Sequence, residues 1–318
     1  MTDTRTTDAG DALLALLTTP SLEARLRPLD PEHVEALSRS VTENPELVRP
    51  RSRARRHALR VTTPARPERL KFCTDKRRRH VFPKRKELRL AEGRARAMHF
   101  FANHELLAIE ALVRGLLLFP ELSSEARRDA LETLADEQRH LSLYLDRMAE
   151  LGLEFGDLPV NDYIWCRALD ATTPASFLAF FALTLEGANL DHARLYMQLF
   201  DQLEDPISAR VMRDVLADEI IHVRRGWTAF RELPEHGGEA GFEEFAGALI
   251  WPLTPGRAKG PSWFPDTRRA AGLPDEMIRR IGQASRRTDG PRPGDPGFRG
   301  RCPVRRPSEC GREPLGES

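Results

Sequence analysis

The sequence predicts an all-α fold built around four long helices, and three observations support this prediction. Apolar residues recur at helical spacing in four segments, residues 87–118, 123–151, 174–203 and 206–232. Helix stop and start signals separate the first segment from the second and the third from the fourth. A seven-residue motif at 134–140 returns at 216–222 with almost the same spelling. Together these features indicate a helical hairpin that occurs twice in the chain.

Each copy of the motif contains a Glu-x-x-His sequence, with Glu137 and His140 in the first copy and Glu219 and His222 in the second. Residues three positions apart lie on the same side of a helix, so each copy directs a carboxylate and an imidazole towards one point. Two helices of this kind can hold a pair of metal ions between them in a helical bundle.

Two further glutamates precede the motifs at matched distances. Glu105 lies 32 residues before Glu137, and Glu186 lies 33 residues before Glu219. If each pair lies at one height of an antiparallel hairpin, the turn between the helices should fall midway. The sequence has Pro120 close to the first midpoint and an Asp-Pro pair at 205–206 close to the second, as a helix break requires.

The charges of this set favour bound metal. Four glutamates in an apolar core would repel one another and lose their hydration, whereas two divalent cations would balance four negative charges. Oxygen and imidazole ligands suit iron, manganese or zinc. We therefore predict a dinuclear metal centre, whose ligands are Glu105, Glu137, His140, Glu186, Glu219 and His222.

Four other acidic residues are candidates for a supporting role around these ligands. Asp136 and Asp218 directly precede the motif glutamates, and each could accept a hydrogen bond from the His of the opposite motif. Glu110 and Asp191 each follow a ligand glutamate by five residues, which is about 140° around a helix. They cannot face the same ion without helix distortion, and we retain them as outer candidates.

The order of these ligands resembles that of the ferritin-like di-iron carboxylate superfamily. The run from residue 98 to 110, continued to Trp227, is similar to an uncharacterised bacterial family of ferritin-like proteins, and the resemblance covers roughly residues 60–283. It implies a ferritin-like four-helix bundle with a long crossover between the second and third helices. It also implies that the dinuclear centre holds two iron ions, with manganese or a mixed iron–manganese pair as the alternative. The superfamily spans storage, oxidation, hydroxylation and radical generation, so the motif does not specify a reaction.

The chain divides into four predicted parts. Residues 1–86 combine short helices with a basic, proline-punctuated arm that we expect to be mostly extended from residue 49. Residues 87–232 form the bundle, and residues 233–283 form loops and short helices packed on it. Residues 284–318 contain mainly Arg, Pro, Gly and Ser, which predicts a disordered tail.

The net charge of +1 conceals a strong asymmetry. Residues 49–89 contain 17 Lys and Arg against three Asp and Glu, which leaves the remainder of the chain with a net charge of about −13. Such an arm could bind phosphates, RNA or an acidic partner. Aromatic residues are sparse here, so a base-stacking surface is not indicated. We expect the arm to wrap around the acidic bundle of its own chain.

Composition also bears on the compartment. No apolar segment has the length and flanks of a signal-peptide core, and none has the unbroken length of a membrane span. The four cysteines show no C-x-x-C spacing. These features predict a cytoplasmic protein without a membrane partner.

The expected activity is O2-dependent oxidation or hydroxylation of a substrate that the sequence does not identify. Because no flavin or nicotinamide fingerprint is visible, we expect an external electron donor. Three alternatives stay open: an iron-handling ferroxidase or storage protein, a tRNA-modifying hydroxylase that uses the basic arm, and a scaffold with a structural metal. A homodimer is compatible with the sequence.

Overall fold

The computed structural model describes residues 8–42, 48–73, 75 and 81–287. Within these ranges the secondary structure is helical and contains no β-strand, which confirms the predicted all-α class. Most of the predicted disordered tail lies outside the described residues, because the description ends at residue 287.

The N-terminal part contains four helices: α1 (Ala9–Thr18), α2 (Leu22–Leu26), α3 (Pro31–Ser38) and α4 (Val48–Arg60). The first three are short, as the prolines between them predict. Helix α4 corrects the prediction of an extended arm. Its alanines Ala54 and Ala58 are fully buried and lie one helical turn apart, and α4 packs against the helix that begins at Ala91. This packing stabilises a helix whose other side is strongly basic.

Four long helical segments follow. They are α5 (Ala91–Leu118), α6 (Ser124–Glu150), a third segment of mixed geometry, and α10 (Pro206–Arg231). The third segment consists of α8 (Pro174–Leu178), a π-helical stretch (Ala179–Leu185) and α9 (Glu186–Gln202).

These helices begin at the side chains that the sequence suggests. The Ser123 hydroxyl accepts a hydrogen bond from the Ala126 N–H at the start of α6. Thr173 forms a reciprocal capping box at the start of α8. The Asp205 carboxylate accepts from the Ser208 N–H and precedes a proline at the first position of α10. Each cap satisfies backbone donors that a helix start leaves open.

The directions of the helices follow from contacts between them. Asp136 contacts His222 while His140 contacts Asp218, so α6 and α10 run antiparallel. Short connections make α5 and α6, and likewise α9 and α10, antiparallel neighbours. Helix α9 therefore runs parallel to α6, and the connection between them, residues 151–173, crosses the length of the helices. It contains helix α7 (Tyr163–Asp170), which packs on α5 and was not predicted.

After α10, helices α11 (Phe242–Ala248), α12 (Pro265–Ala270) and α13 (Asp275–Gln283) pack near the third and fourth long segments. The described part of the basic arm also contacts its own chain. Arg69 forms an ion pair with Glu154, and Arg85 donates a hydrogen bond to the Gln202 side chain. No helix among the described residues combines the length and apolar character that crossing a bilayer demands.

The third segment departs from regular helix geometry just before Glu186. Over residues 179–185 the backbone hydrogen bonds are of π type, and the Thr184 hydroxyl donates to the Ala179 carbonyl oxygen at 2.7 Å. The sequence predicts one continuous α-helix here. A π-helical turn contains one residue more than an α-helical turn, and the spacing of apolar residues does not reveal this extra residue. Helix α10 contacts the π segment where Gly226 faces Ala182, and a Cβ at Gly226 would overlap the Ala182 side chain.

We expect Gly226→Ala to destabilise the protein by about 1–3 kcal/mol, because the added methyl group has no space at this contact. The free energy of unfolding can be measured by urea denaturation. Gly247→Ala in α11 is the matched control, since nothing lies within 4 Å of a Cβ at that position. Equal effects of the two substitutions would contradict the tight contact.

Candidate metal centre

The six predicted ligands come from the four long segments and converge in the interior. Helix α5 provides Glu105, α6 provides Glu137 and His140, the first residue of α9 is Glu186, and α10 provides the last two residues. All six side chains are buried, and none is more than 3% exposed. Each motif meets its partner motif because α6 and α10 run antiparallel at the same height.

The six residues form two overlapping groups of four. In each group, one potential ligand atom per residue lies within 4.8 Å of all the others. Glu137 and Glu219 belong to both groups, while each of the other four belongs to one group only. The first group is completed by Glu105 and His140, and the second by Glu186 and His222. Glu137 and Glu219 would therefore be available as ligands to either of two ions.

The two imidazoles are oriented by aspartates of the opposite helix. The Nε2 atom of His140 lies 3.0 Å from Oδ2 of Asp218, and Nε2 of His222 lies 3.1 Å from Oδ2 of Asp136. This is the crosswise pairing that the sequence predicts. Because Nε2 of each imidazole faces an aspartate, Nδ1 faces the cluster, and Nδ1 of His222 lies 3.2 Å from Oε1 of Glu137.

Several inward-facing atoms of the cluster have no hydrogen bond of ordinary geometry. They are both oxygens of Glu137, one oxygen each of Glu186 and Glu219, and Nδ1 of His140 and of His222. Buried polar groups almost always have partners, because an unpaired one loses its hydration without compensation. Six such atoms from one cluster are the atoms that would coordinate metal ions.

Burial and mutual repulsion perturb the carboxyl groups strongly. Burial raises the pKa of Glu105 well above its ordinary value, and the nearby Glu137 carboxylate raises it further. Burial likewise raises the pKa of Glu186, with an added effect from Glu219. Burial also acts to raise the pKa of Glu137, but its interactions with the imidazoles outweigh this and hold that pKa well below the usual range. Without metal, the cluster therefore retains protons.

Residues outside the predicted set also support the cluster. The Asn189 side-chain amide donates to Oε1 of Glu219 at 2.7 Å, and it lies one turn after Glu186 on α9. The Arg139 guanidinium contacts the carboxylates of both Asp136 and Asp218 at the outer side. Helical spacing from the ligands could have indicated Asn189, whereas the double contact of Arg139 depends on how α6 and α10 pack.

Tyr144 lies one turn after His140 and is fully buried. Its hydroxyl donates to the Met212 sulfur at 3.6 Å. Burial raises the pKa of this phenol well above its ordinary value, and the cluster carboxylates raise it further. Tyr144 therefore stays protonated and extends the buried polar region along α6.

Glu110 does not support the cluster, contrary to the prediction. Its carboxylate is fully buried and is bound by Arg25 and Arg66, with distances of 3.1 Å from Nε of Arg25 and 2.5 Å from Nη2 of Arg66. The 140° offset from Glu105 directs Glu110 away from the cluster, towards the N-terminal part of the chain. Glu110 therefore attaches that part to α5.

Asp191 has the corresponding role on α9, and the prediction of a supporting role at the cluster is wrong for it too. Both of its oxygens accept from the buried Arg268 guanidinium, at 2.8 and 2.9 Å. They also accept from the backbone N–H groups of Gly260 and Phe264. Asp191 thus attaches the C-terminal loop and α12 to the third segment.

A pocket leads from the surface to the cluster. Glu186 and His222 of the cluster line its inner part, and the half-buried Asp129 and Arg225 line its side nearest the solvent. Leucine, alanine, glycine and phenylalanine side chains from the four long segments form most of its wall. The pocket gives one side of the cluster access to a small apolar molecule.

We expect Asp218→Ala to lower metal affinity by about tenfold to a hundredfold, because His140 loses the acceptor that fixes its tautomer and ring orientation. Affinity can be measured by competition with a chromophoric chelator. Asp214→Ala is the matched control, since Asp214 lies one turn earlier on α10, is exposed, and has only a 3.8 Å ion pair with Arg210. Unchanged affinity in Asp218→Ala would show that this hydrogen bond does not position the ligand.

Metal affinity should rise with pH. Burial lowers the pKa of His140, but Glu137 and Asp218 outweigh burial and raise this pKa to about 9. At neutral pH the metal-free imidazole is therefore protonated, and a metal ion must displace that proton and those on the raised carboxyls. Calorimetry in buffers of different ionisation enthalpy should detect net proton release on metal binding. A pH-independent affinity without proton release would contradict this expectation.

The comparisons with known proteins provide a family and no function. No curated protein and no solved structure matches the chain. A family model described as "Protein of unknown function (DUF455)" matches residues 21–279. The matched span includes all six cluster residues and the buried ion pairs of Glu110 and Asp191. Because this match covers most of the sequence, the chain belongs to the DUF455 family.

Proposed function

We propose that this chain is a ferritin-like dinuclear metalloprotein, with two iron ions as its resident metals. The observation that carries the proposal is the pair of overlapping four-residue groups that share Glu137 and Glu219. A single ion would need only one of the groups and would leave buried ligand atoms of the other without a partner.

The arrangement of the helices supports the ferritin-like assignment. Two antiparallel hairpins each contribute one lone glutamate and one Glu-x-x-His sequence, and a long crossover joins them. Di-metal carboxylate proteins of this architecture draw their ligands from four helices in the same way. The donor set has oxygen and imidazole atoms and no thiolate, which suits iron or manganese. Two divalent cations would also neutralise the four glutamates.

The proposed activity is oxidation or hydroxylation of an organic substrate with O2. When bound, two iron ions would supply the electrons and coordination positions needed to reduce dioxygen. The chain's own residues hold the ligands rigidly: Asp136 and Asp218 fix the imidazoles, and Asn189 fixes one oxygen of Glu219. Burial of all six ligands excludes bulk water. Electrons for repeated turnover would come from a separate donor.

One observation favours an organic substrate over iron handling. The pocket that reaches Glu186 and His222 has mostly apolar walls, whereas a path for hydrated iron ions would require a succession of polar or acidic side chains. The tRNA-modifying alternative would use the basic arm, and the described arm residues Arg66, Arg69 and Arg85 are already bonded to their own chain. We therefore propose oxidation of a small apolar substrate.

Metal analysis of the purified protein tests the proposal. We expect about two metal ions per chain, in keeping with two overlapping ligand groups. Glu137→Gln should lose most of this metal, because Glu137 belongs to both groups. Glu150→Gln is the control, since Glu150 lies on the same helix but is exposed and pairs only with Arg147. One zinc ion per chain, unaffected by Glu137→Gln, would reject the dinuclear centre.

The reaction class has its own test. The ferrous protein should consume O2 in a stopped-flow or electrode assay, and the Glu137→Gln variant should not. Storage of many iron ions per chain, or a metal-loaded protein that never consumes O2, would reject the oxidase or hydroxylase and leave a storage or structural role.

A further inference from the structure

The pocket beside the cluster has a definite length and direction. Along α6 it extends from Ala126 to Thr133, and along α10 from Ala229 to His222. Seven residues of α-helix rise about 10 Å, so the pocket is about 10 Å long and parallel to the bundle axis. Its shape therefore suits a linear group better than a fused-ring or bulky one.

The wall of the pocket offers almost nothing for a polar ligand to bind. Leu112, Leu116, Phe177 and Phe181 face the middle of the pocket, and the rings of Phe177 and Phe181 stack with centroids 5.7 Å apart. Apart from the charged Asp129 and Arg225 on one side and the two cluster residues, Thr133 is the polar side chain in the wall. A polar chain would lose hydrogen bonds to water here and would not recover them. The wall therefore selects a chain of methylene or similar apolar groups.

The inner end of the pocket lies at the proposed metal centre. Glu186 is only 1% exposed and lines this end, and its Oε1 atom is buried without a hydrogen bond. His222 lies beside it and belongs to the same four-residue group. A chain that fills the pocket would place its inner carbon atoms directly beside the proposed metal centre.

Charged side chains lie along one side of the pocket. Asp129 is one turn from Ala126, towards the outer end, and Arg225 is one turn from His222, towards the inner end. Arg225 is surrounded by three carboxylates: it pairs with Glu132, and its guanidinium lies 3.5 Å from Asp129 and 3.8 Å from Asp136. These four side chains carry a surplus of negative charge, and the single guanidinium is already engaged. A terminal carboxylate at the outer end would approach Asp129 and be repelled, whereas an uncharged or ammonium terminus would not.

We propose that this pocket binds a linear apolar chain of about 10 Å that carries an uncharged or amine terminus at the outer end. The chain would be the substrate if the proposed oxidation is correct, so this step rests on the proposed function. Binding itself depends only on the pocket and can be measured without turnover.

Calorimetric titration with three probes of equal length tests the proposal: octan-1-ol, octylamine and octanoate. We expect the alcohol and the amine to bind, and octanoate to bind at least tenfold more weakly. Equal or tighter binding of octanoate would overturn the inferred selection at the outer end. Absence of binding by all three would overturn the pocket as a site for a linear chain.

Substitutions on α6 locate the binding. Ala130→Leu adds bulk at a half-buried position of the wall and should weaken octan-1-ol binding about tenfold or more. Ala135→Leu is the matched control on the same helix, because Ala135 is exposed and does not line the pocket. Thr133→Val keeps the shape, removes the hydroxyl and should bind the alcohol at least as well as the natural protein. Unchanged binding in Ala130→Leu, or lost binding in a folded Thr133→Val protein, would overturn the assignment.

The two proposals fail in different ways. If metal content is about two ions per chain and no probe binds, the dinuclear centre is supported and the proposed ligand of the pocket is rejected. If the probes bind as expected and the protein holds no metal, the proposed ligand of the pocket is supported and the proposed oxidation is rejected. Titrations should therefore use both the metal-loaded and the chelator-treated protein.

Discussion

The burial of four glutamates at one point among four helices is the constraint on which the rest of this structure depends. Each carboxylate loses its hydration, and the close approach of the others adds repulsion. The described chain supplies two imidazoles to the cluster, and burial leaves the pKa values of Glu105 and Glu186 raised. A pair of cations would relieve this cost, and Asp136 and Asp218 orient both imidazoles so that Nδ1 of each faces the cluster.

Besides the repeated Glu-x-x-His motif, the two hairpins share a second repeated feature, a buried acid that faces away from the cluster. Glu110 follows Glu105 by five residues, and Asp191 follows Glu186 by the same interval, so both acids lie about 140° around their helices from the cluster. In each case the outward acid is fully buried beneath arginines of a flanking segment. The N-terminal helices are attached at Glu110, and the C-terminal loop is attached at Asp191. In each hairpin, one acid thus belongs to the cluster, and a second acid, five residues later, binds an arginine of the segment that packs over the helix.

The outward-facing acids and the cluster glutamates differ in how their negative charge is compensated. Glu110 has two guanidinium partners and Asp191 has one, together with backbone donors, so each charge is compensated within the chain. Among the described residues, the cluster glutamates contact the two imidazoles, the Asn189 amide and one another, and no guanidinium is bonded to them. This difference separates carboxylates that stabilise the fold from those that are available to a metal, and residue type alone does not distinguish the two groups.

Periodicity and turn chemistry predicted the four long helices to within a few residues at most of their ends, because apolar spacing and capping side chains are local properties. They also selected the six residues that converge, since matched spacing from a turn fixes height in a hairpin. The π segment before Glu186, helix α7 and the helical form of α4 were not predictable in this way. They depend on contacts with distant residues, such as the packing of Ala54 and Ala58 against α5.

The sequence by itself determined the all-α class, the repeated hairpin and the membership of the cluster, because each follows from spacing along one helix or one hairpin. Only the tertiary structure decided that Glu137 and Glu219 are common to both ligand groups, that Glu110 and Asp191 bind arginines, and that an apolar pocket ends at the cluster. These features depend on how separate helices rotate and approach one another. Rotation about a helix axis is set by the whole core, and no single segment of sequence encodes it.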